Sequence, residues 1–77
     1  MKAIRYTRHA KNRMRWHRIS EAEVESAILS PDFIESFSET RLNAWKRLTE
    51  RFLRVTYKEK NGELFIITAV KKKKGWR

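Results

Sequence analysis

Two residues near the start of the chain, His9 and Arg13, have the types and the spacing for acid–base chemistry on a phosphate ester. Positions four apart in a helix lie on the same side, so the two side chains can act as a pair. Cleavage of RNA without a metal needs a group that removes the 2′-hydroxyl proton and cations that stabilise the charged phosphate. Imidazole suits proton transfer near neutral pH, and a guanidinium group holds phosphate through two hydrogen bonds. We therefore regard His9 and Arg13 as candidate catalytic residues.

Further candidates come from the second half of the chain. Lys46, Arg54 or Lys71 is expected to close the pocket from the sheet, and Tyr57 is expected to orient the sugar or the base. We predict that nucleic acid is also contacted by cations and one aromatic residue, namely Arg8, Lys46, Lys58, Lys71, Lys72 and Trp76. Each assignment has a structural alternative, since His9 also suits a packed or capping position and Arg13 an ion pair. Tyr57 alternates with core residues and fits the interior equally well.

Acidic and basic residues occupy separate segments of the chain. The first eighteen residues carry seven basic residues and no acid, whereas residues 19–40 carry six acids and no Lys or Arg. Basic residues dominate again from Arg41 onward, and the net charge is +10. Folding can merge the two basic blocks into one positive surface, so a polyanion is the first partner to consider. Its binding would depend steeply on salt concentration.

Size and composition narrow the classes of protein. We expect one domain spanning residues 1–77, with a basic tail at about 71–77. The chain has no cysteine and two histidines, so we expect no disulfide, no metal and no cofactor. The longest unbroken apolar run is four residues, far too short for a membrane span, and the N-terminus has no signal-peptide core. We therefore expect a cytoplasmic protein that does not bind membranes.

The periodicity predicts an α+β fold in the order β-α-α-β-β-β-β. Thr7 is a suitable N-cap for a helix over 8–17, and Ser20 with Glu23 forms a capping box for a second helix that ends before Pro31. Strands are predicted at 2–6, 32–38, 42–48, 51–58 and 63–71, the last two joined by an Asn-Gly turn. Two amphipathic helices can then cover one face of a four- to five-stranded, mainly antiparallel sheet and leave the other face open.

Alternation within the strand at 51–58 assigns its side chains to the two faces. Leu53, Val55 and Tyr57 point to one face of the sheet. The residues that point to the other face are the better candidates for the exposed side, and they are Phe52, Arg54, Thr56 and Lys58. The sequence does not reveal how the preceding strand pairs with its neighbours, so either Lys46 or Arg47 can face a ligand.

Several short motifs occur in a familiar order. These are His9-Ala10-Lys11-Asn12-Arg13-Met14, Ile19-Ser20 ahead of Val24, Leu53-Arg54-Val55-Thr56-Tyr57, and Ile67-Thr68. Together they cover nearly the whole chain, which resembles a small uncharacterised family that we associate with the RelE/ParE-like toxin superfamily. RelE-like toxins are similar in their β-α-α-β-β-β arrangement, and many are metal-independent endoribonucleases whose cationic sheet face holds messenger RNA, often at the ribosome.

The resemblance implies cytoplasmic action and a partner antitoxin. Lys46, Arg54 and Tyr57 are loose positional counterparts of the lysines, arginines and tyrosine that RelE-like toxins use, and Trp76 stands where a late tyrosine would follow the last strand. Our first hypothesis is a toxin-like endoribonuclease of a type II toxin–antitoxin system. The alternatives are a non-catalytic nucleic-acid-binding module and a protein of the ParE kind, a branch that inhibits DNA gyrase.

Overall fold

The computed structural model describes residues 2–76 of the chain. Two helices, α1 (Arg8–His17) and α2 (Glu21–Leu29), follow a short first strand. The five strands are β1 (Ala3–Tyr6), β2 (Phe33–Ser36), β3 (Leu42–Arg47), β4 (Phe52–Lys60) and β5 (Glu63–Lys72). The predicted element order is therefore confirmed, with shifts of a few residues at the strand ends.

The strands form one mixed sheet in the order β1-β5-β4-β3-β2. The first strand, β1, runs parallel to its neighbour, β5, and the other described pairs are antiparallel. Both helices pack on one face of this sheet, α1 over β5 and α2 over β3 and β4. The structure thus has the predicted α+β architecture, in which the second sheet face carries no helix within residues 2–76.

Local sequence explains where the helices begin and end. The Thr7 hydroxyl accepts from the backbone N–H of Ala10 at 3.1 Å and starts α1, while Ser20 and Glu23 form the predicted capping box of α2. Arg18 adopts a left-handed conformation, with φ 55°, and ends α1. Among residues 2–76, no helix has the length and apolar content needed to span a membrane.

The core lies between the helices and the sheet. Ala10 and Met14 of α1 and Val24 and Ala27 of α2 pack against apolar side chains of the three central strands. The strand members of this core are Ala44, Leu53, Val55, Tyr57, Leu64, Ile66 and Ala69. The predicted alternation in β4 is confirmed, since Leu53, Val55 and Tyr57 share the helix-covered side.

Two local irregularities shape the central hairpin. Asn61 and Gly62 both have positive φ, 53° and 75°, which is the type of turn that an Asn-Gly pair predicts. A shift of register between Thr56 and Tyr57 leaves Ile67 of β5 without a direct partner in β4. Because of this bulge, Ile66 and Ala69 both face the helices although they are three positions apart, a spacing that would place them on opposite faces of a regular strand.

Replacing Leu53 by Ala is expected to destabilise the protein by about 2–5 kcal/mol, because the side chain is fully buried and the cavity would be only partly filled. Denaturant unfolding measures this decrease in stability. Leu29→Ala is the matched control, since Leu29 is 58% exposed and should change the free energy of unfolding little. Equal effects of the two substitutions would contradict the placement of the core.

Candidate nucleic-acid interface

The solvent side of α1 is basic along its whole length. Arg8, Lys11, Arg15 and Arg18 follow one another at three- and four-residue intervals and form one exposed cationic stripe. A second stripe consists of His9, Arg13 and Trp16, at positions i, i+4 and i+7. We call these seven exposed residues the α1 basic face. Their orientation follows from Ala10 and Met14, whose burial turns the rest of the helix to solvent.

Within residues 2–76, the cations of the α1 basic face have no acidic partners. Within the described part of the chain, the ion pairs are Lys2–Glu59, Arg5–Glu63 and Lys71–Glu23, and none involves α1. The first turn of α1 also contains no acid, so the positive end of its helix dipole is not offset by a carboxylate. The positive potential of this surface is therefore available to an anionic ligand.

Two of the predicted phosphate-binding lysines lie at helix ends. Lys46 is on the helix-covered side of β3, where its ammonium group donates to the carbonyl of Ser30 at 2.7 Å, after α2. Lys71 donates to the carbonyl of Arg18 at 3.1 Å, after α1. Lysine at a helix C-terminus satisfies free carbonyls and offsets the negative end of the dipole. The structure thus gives both lysines a local stabilising contact, a role that the sequence analysis missed.

The hydrogen bond between Lys71 and Arg18 is also one of the contacts between the two basic blocks of the sequence. His9 lies at the opposite end of α1, roughly 13 Å away along the axis at 1.5 Å per residue. The structure therefore brings the two blocks together at the C-terminal end of α1 as well as along the β1–β5 strand pair.

Other candidates lie on the helix-free side of the sheet, which we call the open face. Arg54 pairs in register with Trp45 and Val70, and Lys58 and Lys72 pair with Phe65 and Phe52 on this same side. His9 and Arg13 are exposed on α1, in the other layer. The expected pocket that combines His9, Arg13 and Arg54 is therefore not formed, because the sheet separates Arg54 from the two helical residues.

Tyr57 belongs to the core. It is 8% exposed, and burial raises the pKa of its hydroxyl, with a smaller contribution from Glu59. It lies on the same strand side as Leu53, opposite Arg54. The geometry therefore supports an interior, structural position for Tyr57.

The open face contains a polar network that the sequence analysis did not identify. The Glu35 carboxylate accepts from the indole N–H of Trp45 at 2.8 Å and from the amide of Asn43 at 3.2 Å. Asn43 in turn accepts from the Thr56 hydroxyl at 2.6 Å. The hydrogen bond from Trp45 makes the largest contribution to lowering the pKa of Glu35, and the one from Asn43 comes next. The positive charge of Arg54 lowers this pKa further. The period-2 alternation of each strand indicates which of its residues share a face. Only the register between strands shows that Glu35, Asn43 and Thr56 are neighbours.

Trp76 does not extend from an exposed tail, as the sequence suggested. It is half-buried on the open face, where its ring stacks on Phe33 and meets Trp45 and Phe52 edge-on, at centroid distances of 5.5–6.1 Å. Gly75 permits this return of the chain, because a Cβ at that position would collide with the Phe52 ring. Trp16 is the exposed tryptophan, at 81%.

In residues 2–76, no three His, Asp or Glu side chains are grouped so that they could hold a metal ion. A family model described as a domain of unknown function (DUF4258) matches residues 6–71. The chain therefore belongs to this family, and the match extends from the end of β1 into β5. No curated protein and no solved structure matches the chain.

The Glu35 network predicts a specific response to acid. Because the folded-state pKa is lowered, the network stabilises the protein above the ordinary glutamate pKa of about 4.3, and this contribution disappears as the pH falls through the folded-state pKa. Trp45→Phe removes the indole donor, so the pKa of Glu35 should rise towards its ordinary value in an NMR titration of the carboxyl carbon. Trp76→Phe is the control and should leave it unchanged. A pKa of Glu35 that Trp45→Phe does not move would contradict the assignment.

Proposed function

We propose that this protein binds RNA through the α1 basic face. The observation that carries the proposal is the absence of any acidic partner, within residues 2–76, for a helix surface that presents five cations. Cations on a folded surface that do not neutralise one another generate a potential that attracts phosphates. The cationic stripe from Arg8 to Arg18 spans roughly 15 Å at 1.5 Å per residue, which is long enough to follow several nucleotides of a backbone.

We further propose that the protein is a toxin-like endoribonuclease of the RelE/ParE-like kind, with His9 as the proton-transfer group. His9 is exposed, so its imidazole can take the proton from a bound 2′-hydroxyl group, and the imidazolium that forms can return a proton to the leaving 5′-oxygen. Arg13 lies one turn further along the same stripe and is placed to hold the phosphate as charge develops. The proposed site is thus confined to α1 and uses neither Arg54 nor Tyr57. An antitoxin that neutralises the protein would cover this face and compete with RNA.

RNA binding should show a steep salt dependence that originates from the α1 basic face. The double variant Lys11→Gln/Arg15→Gln is expected to lower the slope of log K against log salt concentration, by about 0.7 for each single-strand phosphate that is no longer neutralised. Fluorescence anisotropy with a labelled 2′-O-methyl RNA measures binding without cleavage, because the attacking hydroxyl group is blocked.

The matched control is Arg51→Gln/Lys60→Gln, which removes the same charge from two exposed positions outside α1, one in the β3–β4 connection and one at the end of β4. This control should keep most of the wild-type slope. If both double variants reduce the slope equally, net charge alone drives binding and the α1 basic face is not the interface.

Cleavage is tested separately from binding. His9→Gln should reduce the rate of RNA cleavage in EDTA by at least about 100-fold, the usual contribution of a positioned acid or base, while its affinity for 2′-O-methyl RNA stays at the wild-type level. His17→Gln is the matched control and should cleave normally. Wild-type rates in His9→Gln would remove the catalytic proposal. Salt-dependent binding by a wild-type protein that produces no cleavage products would instead favour the non-catalytic module.

A further inference from the structure

Trp16 is the most exposed large apolar side chain in the described structure, and it lies within the most basic surface. Trp45 is 5% exposed and Trp76 is packed in the aromatic cluster of the open face, so the fold buries its other indoles wholly or in part. The other large apolar side chains that are exposed in the described structure lie elsewhere, between the end of α2 and the start of β3, and are Leu29, Phe33, Ile34, Phe37 and Leu42. Trp16 is thus separated from them in the fold.

The neighbours of Trp16 are polar or charged. Helical side chains lean towards the N-terminus, so the indole lies beside Asn12 and Arg13 of the preceding turn. On its C-terminal side the His17 ring is tilted by 56° at a centroid distance of 6.4 Å. An apolar protein partner that covered the indole would have to desolvate the adjacent Arg13 guanidinium group without offering it an anion, which costs free energy. A flat, partly polar ring attached to a phosphate fits these surroundings better.

We propose that Trp16 stacks on an unpaired nucleobase and makes the protein selective for single-stranded RNA, an inference that rests on the proposed RNA binding. A phosphate next to that base would meet Arg13, and the Asn12 amide is placed to reach the edge of the base. Bases in a duplex are already stacked on one another, so they cannot accept the indole. The cationic stripe, in contrast, attracts the phosphates of either form.

The experiment compares two probes and three proteins. The probes are a short unstructured 2′-O-methyl RNA and the same strand annealed to its complement, and the proteins are wild type, Trp16→Ala and Trp16→Phe. Trp16→Ala should weaken single-strand binding by about 10-fold to 100-fold, the usual effect of removing one stacking aromatic. It should leave duplex binding and the salt slope nearly unchanged. Trp16→Phe should retain most of the single-strand affinity.

Tryptophan fluorescence gives a second measurement. The wild-type protein should be quenched on binding the single strand, and this change should be absent in Trp16→Phe, which keeps Trp45 and Trp76. Because Trp16 is 81% exposed, both variants should unfold at the wild-type temperature.

The outcomes separate the two proposals. Salt-dependent binding with equal affinity for both probes, or Trp16→Ala with wild-type single-strand affinity, would overturn the stacking role and leave RNA binding intact. In that case Trp16 would be a candidate contact for a protein partner. A wild-type protein that binds neither probe would overturn the proposed function together with this inference.

Discussion

The burial of Ala10 and Met14 against the central strands determines which side chains of α1 face the solvent. Thr7 fixes the start of this packing, because its hydroxyl caps α1 and also donates to the carbonyl of Ile66 in β5 at 2.9 Å. One residue therefore ends β1, begins α1 and attaches both to the adjacent strand. With the small and flexible side chains of α1 turned inward, its long cationic side chains project into solvent. The basic surface is thus a direct consequence of how this helix packs.

The same packing places cations that are adjacent in the sequence on opposite faces of the sheet. Lys46 and Arg47 are neighbours, yet one donates to the end of α2 and the other lies on the open face, in register with Phe52. Lys71 and Lys72 divide in the same way, since successive strand residues point to opposite faces. Strand alternation thereby assigns some lysines to helix ends, where they offset the dipoles. The cations of α1 form no ion pairs within residues 2–76 and remain available to a ligand.

The open face has a different character from α1. One of its acidic groups, Glu35, is held by Trp45 and Asn43, and the Nε atom of Arg54 is buried without a hydrogen-bond partner in the described structure. The chain then returns across this face and places Trp76 on the aromatic cluster. Much of the open face is thus engaged in internal contacts. This distribution, together with the separation of Arg54 from α1 by the sheet, is why the RNA-binding proposal rests on the helix and not on the sheet.

Much of the architecture could be predicted because it is encoded by near neighbours. The caps at Thr7 and Ser20, the Asn61-Gly62 turn and the alternation around Val55 depend on interactions within a few residues, and each was correctly predicted. The uneven distribution of charge is likewise a property of the sequence alone. Other features depend on contacts between distant segments. The bulge opposite Thr56 and the hydrogen bonds of Glu35 follow from strand register. The partners of the lysines at the helix ends and the exposure of Trp16 follow from how the helices pack on the sheet. Register is fixed by packing across the whole sheet, so only the tertiary structure decided which of the basic and aromatic residues share a surface.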